Sequence, residues 1–104
     1  MNKILTVLAL TATISFNATA NESTDICVTY SDAATAVMTA RQANRSVAEL
    51  YKLVDGNKLM LALIKEAYNK PFYSTETYKQ REINTFTNDV FLICINELGD
   101  KEDA

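Results

Sequence analysis

Histidine is absent from this 104-residue chain. That removes the commonest general base and the commonest zinc ligand. Glycine is confined to Gly56 and Gly99, and proline to Pro71. Over no long stretch do β-branched residues alternate with polar ones, so nothing reads as a strand, and the scarcity of breakers favours helix. No basic run exists, which makes nucleic acid and anionic membrane poor partners, since phosphate contacts need clustered Lys or Arg. There is no glycine-rich phosphate loop, no nucleophile elbow, no internal repeat and no low-complexity segment. The chain has two cysteines, Cys27 and Cys94, and no Cys-x-x-Cys pair. If they are joined, neither a thiol nucleophile nor a metal thiolate remains.

What is present begins at the first residue. Met1-Asn2-Lys3 is a short positive start, residues 4–16 form an apolar run broken only by Thr and Ser, and Ala18-Thr19-Ala20 is a small-x-small site. This order of parts predicts a secretory signal peptide over residues 1–20, cut after Ala20. The run is short for a membrane span, which needs about 20 residues, and no second one follows. No stable membrane insertion is expected after cleavage, and Cys27 lies too far past the apolar run to be a lipidated N-terminus. Residues 21–104 are then a single helical domain in an oxidising compartment, the periplasm. Loss of Lys3 leaves nine basic against 13 acidic residues, a net charge of −4.

So small a domain has a marginal core and gains from a covalent staple. Two exported cysteines allow one pairing, Cys27 with Cys94, which closes a loop worth about 4 kcal/mol in the chain-entropy model.

Four helices are expected. The first runs over 25–43, with Cys27, Tyr30, Ala34, Val37, Met38 and Arg41 on one face and Asn44 as a left-handed end. Ser46-Val47-Ala48-Glu49 is a capping box opening a short second helix that buries Val47, Leu50, Tyr51 and Val54. Asp55-Gly56-Asn57 breaks it. The third helix covers 58–69, with Met60, Leu63, Ile64, Ala67 and Tyr68 inward, and Pro71 forces an extended link. Ser74 is expected to cap a fourth helix over 75–98, with Glu76 near its positive end. Lys79, Ile83, Phe86, Val90, Ile93 and Glu97 share its stripe, with Phe91 and Cys94 beside it, and Gly99 ends it before a polar tail. The fold class is therefore all-α, a small four-helix bundle with one disulfide.

The disulfide also sets a register. Cys27 opens the first helix and Cys94 closes the fourth, so the two run antiparallel. Arg41 lies fourteen positions beyond Cys27, about 21 Å at 1.5 Å per residue, and fourteen positions before Cys94 is Gln80. Arg41, Gln42, Tyr68, Tyr73, Glu76 and Gln80 should meet at one end of the bundle. Arg41 there is either an anion clamp or a tie to Glu76 or to the carbonyls ending its own helix, and the second role is favoured. The five tyrosines either form a recognition face or pack their rings and wet their hydroxyls, again the favoured role. Carboxylate pairs such as Glu76 with Glu82, or Glu49 with Asp55, have no diagnostic spacing. No catalytic residue, metal ligand or cofactor is expected.

Ala34-x-x-Val37-Met38-x-x-Arg41-Gln42 after an N-terminal cysteine is followed by Ala67-Tyr68-x-x-Pro71-x-Tyr73-Ser74-Thr75-x-x-Tyr78, then Phe86 and Cys94. This pattern resembles a group of small exported, single-disulfide helical proteins of Gram-negative bacteria and their phages or prophages. That group usually has Gly where this chain has Asn44, which suits the same left-handed turn. The resemblance covers nearly the whole mature chain and implies compartment and fold, without an activity. The expectation is a non-enzymatic periplasmic protein that binds another cell-envelope or phage protein, with an inhibitor or exclusion role in view. A small-ligand carrier and a periplasmic stress chaperone are the alternatives. Identity of the partner and oligomeric state stay open.

Overall fold

A computed structural model describes the backbone of residues 2–103 and the side chains of residues 22–98. The expected signal peptide and its cut after Ala20 lie outside the described side chains. Helices α1 (Asn2–Gln42), α2 (Val47–Val54), α3 (Lys58–Tyr68) and α4 (Glu76–Asp103) make up the chain, with no strand among the described residues.

Two helices outrun the expectation. α1 starts at Asn2 rather than near Asp25, because no Gly or Pro interrupts residues 2–42 and Thr and Ser only lower helix propensity. α4 passes through Gly99 to Asp103. Glycine inside a helix costs about 1 kcal/mol relative to Ala without forbidding helical backbone. α4 also begins one residue later than expected. The Thr75 carbonyl accepts from the Lys79 amide at 3.0 Å, so Thr75 rather than Ser74 stands at the N-cap position.

The other punctuation follows the local chemistry. Asn44 is left-handed with φ 61°. The Arg45 amide reaches the Ala40 carbonyl and the Asn44 amide reaches that of Arg41, both at 3.0 Å, the paired bonds that close a helix around a left-handed residue. The Ser46 hydroxyl accepts from the Glu49 amide at 3.4 Å, and the Asn57 side chain accepts from the Met60 amide at 3.1 Å. Asp55 and Gly56 both take positive φ between α2 and α3.

α1 is the spine. α4 lies along one flank, α3 packs on another, and α2 rests on α3. Cys27 and Cys94 are joined, with Cα atoms 5.5 Å apart. The core between the helices is Ala34, Val37, Met38, Ala40, Leu50, Leu63, Ile64, Ala67 and Phe86. Three of these are alanines, which let α3 and α4 approach α1 closely. The register set by the disulfide persists along α1 and α4. Thr35 and Thr87 hydroxyls meet at 2.6 Å, and the Lys79 ammonium reaches the Gln42 carbonyl.

The buried face of α4 is rotated from the expected stripe. Phe86 and Cys94 are buried, with Ile83 and Val90 partly so, whereas Ile93 is 63% exposed and Glu97 is exposed. Cys94 must face α1 to make its bond, so Ile93, one position and about 100° earlier, turns away. On α2, Val47 and Tyr51 are likewise more exposed than expected and only Leu50 is buried, because this short helix packs mainly against α3.

Candidate functional site

The polar end of the bundle and an apolar groove are the two constellations worth weighing. At the polar end, α1, the close of α3 and the 71–73 link converge on Gln42, which is 2% exposed. Its amide nitrogen donates to the Pro71 carbonyl at 2.8 Å, and its amide oxygen accepts from the Tyr73 amide at 3.0 Å. One side chain thus pairs with both faces of the extended link, as a neighbouring backbone strand would. The same nitrogen lies 3.5 Å from the Met38 sulfur.

Arg41 turns to α3 rather than α4. Its Nε and Nη2 both donate to the Lys70 carbonyl, at 3.2 and 3.0 Å. The guanidinium lies 5.2 Å from the Tyr68 ring centroid and 5.9 Å from that of Phe72. The Tyr68 hydroxyl donates to the Arg45 carbonyl at 2.7 Å. Burial raises the Tyr68 phenol above its ordinary 10.0, against the opposing pull of the Arg41 and Arg45 charges. Tyr73 stacks on Tyr78 with centroids 5.7 Å apart.

Arg41, Gln42, Tyr68 and Tyr73 therefore do come together. Glu76 and Gln80 do not join them. Glu76 is exposed, and Gln80 donates along its own helix to Asn84 at 3.0 Å. The residue opposite Gln42 in the shared register is Lys79, whose ammonium caps the end of α1 and lies 4.4 Å from the Phe72 centroid. A cation at a helix C-terminus is favourable on dipole grounds as well. Lys79 stood on the expected stripe of α4, and its charge on an apolar face was the signal for a buried carbonyl partner. Phe72 carried no such signal.

The Lys79 ammonium, the Nε and Nη2 of Arg41, the Gln42 amide and the Tyr68 hydroxyl are thus spent on carbonyls. Gln42, Lys70, Pro71 and Arg45 each have one satisfied by a side chain. The arrangement is a clasp that ends α1 and α3 and holds the link to α4.

The apolar groove lies between α3 and α4. Both helices pack on α1 yet scarcely touch each other, which leaves a channel of about 430 Å³. Leu63, Phe86, Val90 and Cys94 form its floor, while Leu59 and Ala62 of α3 face Ile93 and Leu98 of α4, and Tyr30 of α1 closes one side. Tyr30 was expected on the buried face and instead sits at this boundary, 36% exposed. Glu66, Asp89 and Glu97 carry negative charge along the rim, with Lys70 at one end. Glu66 and Lys70 pair at 4.0 Å. Sequence periodicity placed Ile93 on the core stripe of α4 and so missed it as a groove wall.

Among the described residues no cluster of acidic, Cys or His side chains could hold a metal ion, and no helix is long and apolar enough to cross a membrane. No protein-family model matches the chain, and neither a curated protein nor a solved structure matches it.

Proposed function

We propose that this chain is an exported, non-enzymatic binding protein of the Gram-negative periplasm, bacterial or phage-encoded, that holds another envelope or phage protein. An inhibitor or exclusion factor fits its size. The observation that carries the reading is the groove between α3 and α4. A small domain leaves Leu59 and Ile93 in the open only at a cost, since burying such a side chain contributes about 1.5–3 kcal/mol. Other apolar side chains are exposed as well, Leu53 and Leu92 among them, but Leu59 and Ile93 border a channel that is apolar inside and rimmed by charge, which is what recognition sites offer. The positive start, apolar run and Ala18-Thr19-Ala20 support export, and a single long-range disulfide suits that compartment.

The test is affinity capture from periplasm with the tagged, processed protein. The expected result is a stoichiometric protein partner and an intact mass beginning at Asn21. A co-purifying small molecule would shift the reading to a carrier. Full-length protein recovered only in membranes would overturn the export on which both rest.

A further inference from the structure

We propose that the occupant of the groove is a cationic amphipathic helix of the partner protein, an inference that rests on the binding role proposed above. Three observations select that occupant. The first is length. The groove follows α4 from Phe86 to Leu98, about 18 Å at helical rise, which accommodates roughly three turns of a docked helix. The second is section. The channel runs between two helices, with Leu63, Phe86, Val90 and Cys94 at its base, so it is apolar there, the shape that receives one helical face.

The third is charge. Of the four charged residues on the rim, Glu66 and Lys70 neutralise each other. Asp89 and Glu97 are exposed and take part in no ion pair among the described residues. They stand on one line of α4 with Ile93 midway between them, each four positions from the next. Their separation along the axis is about 12 Å. A docked helix with its apolar face on Leu63, Phe86 and Val90 would meet this line along one flank. Lys or Arg seven or eight residues apart on that helix would match both carboxylates. An anionic helix or a fatty-acid headgroup would meet like charge there. A second copy of this chain carries a net charge of −3, which opposes its overall approach.

The chain has no tryptophan, so a tryptophan placed on a probe peptide reports free of background. The experiment titrates processed, oxidised protein into two amphipathic peptides of about 18 residues, a length at which an isolated helix is attainable. Both carry Leu and one Trp on the apolar face; one has Lys on its polar face, its twin has Glu. The Lys peptide should bind saturably at equal stoichiometry with a blue-shifted emission. It should bind about tenfold or more tighter than the twin at low salt, and the gap should narrow as salt screens the rim. The pair Asp89→Asn and Glu97→Gln should shrink that preference by about three- to tenfold. The pair Leu59→Ser and Ile93→Ser, at the exposed groove walls, should weaken binding by about tenfold or more while the helical circular dichroism at the assay temperature is retained.

Equal binding of the two peptides, or indifference to the Leu59→Ser and Ile93→Ser pair, would overturn the inference. So would tighter saturable binding of dodecanoate than of the Lys peptide, or a self-association by sedimentation that the same pair abolishes. A periplasmic partner captured equally by the wild type and that pair would sink the groove assignment and leave the binding role standing. Silence in both the capture and the peptide titration would remove both.

Discussion

Replacing Gln42 with Ala tests the clasp most directly. Gln42 is buried, and its amide satisfies the Pro71 carbonyl at 2.8 Å and the Tyr73 amide at 3.0 Å. A net contribution of about 0.5–1.5 kcal/mol per hydrogen bond puts their joint loss at about 1–3 kcal/mol. Leaving buried groups unpaired adds to the loss, while Pro71 is exposed and its carbonyl can recover water, which limits it. The balance is about 2–3 kcal/mol. For a domain of this size each kcal/mol moves the midpoint by roughly 4–8 °C, so Gln42→Ala should melt about 10–20 °C lower. Circular dichroism at the helical band, on oxidised protein, is the assay. A second substitution gives a directional signature. Gln42→Glu keeps the acceptor for the Tyr73 amide but sets an ionised oxygen against the Pro71 carbonyl. That repulsion favours the protonated acid, so the folded pKa of the new carboxyl rises. Its stability is then greatest below the ordinary Glu value near 4.3 and falls as pH rises through the raised folded value. The variant should regain stability relative to wild type on acidification, and Gln42→Ala should not. A Gln42→Ala melt within about 3 °C of wild type, less than roughly 1 kcal/mol, would refute the clasp.

Three further outcomes follow from the same structure. Replacing Cys27 and Cys94 together with Ser should cost about 4 kcal/mol and lower the melting midpoint by well over 10 °C; an unchanged curve, or two free thiols in unreduced periplasmic protein, would contradict it. Arg41→Ala removes both donors to the Lys70 carbonyl and should destabilise by about 1–3 kcal/mol, whereas Glu76→Ala, at an exposed position, should stay within about 0.5 kcal/mol of wild type. An Arg41→Ala protein with an intact melting curve and lost partner binding would make Arg41 a recognition residue instead. Tyr68 has a phenol raised by burial, so its contribution is intact below pH about 10 and is lost as pH climbs through the folded value; an ultraviolet titration should show a late component that Tyr68→Phe removes, and a high-pH limb that this substitution leaves unchanged would refute it.

The one-dimensional pattern determined the helical class, the pairing of the cysteines and the breaks at Asn44–Ser46 and Asp55–Asn57. Each of these depends on chemistry within a few residues or on elimination. Asn44 turns left-handed and Ser46 receives the Glu49 amide because those preferences belong to the residues themselves. The antiparallel register of α1 and α4 was also legible, since one disulfide and a constant rise per residue fix everything opposite. Rotation about a helix axis and choice of neighbour were not. Periodicity places Arg41, Lys79 and Ile93 on apolar stripes without saying which helix each stripe meets. Only the packing of α3 and α4 on separate flanks of α1 decided those questions. It sent Arg41 to the Lys70 carbonyl and Lys79 to the end of α1. It left Glu76 in solvent and opened between α3 and α4 a groove that no local pattern encodes. The reason is geometric: a cavity is the space that elements distant in sequence fail to fill, and it exists only once their relative placement is set.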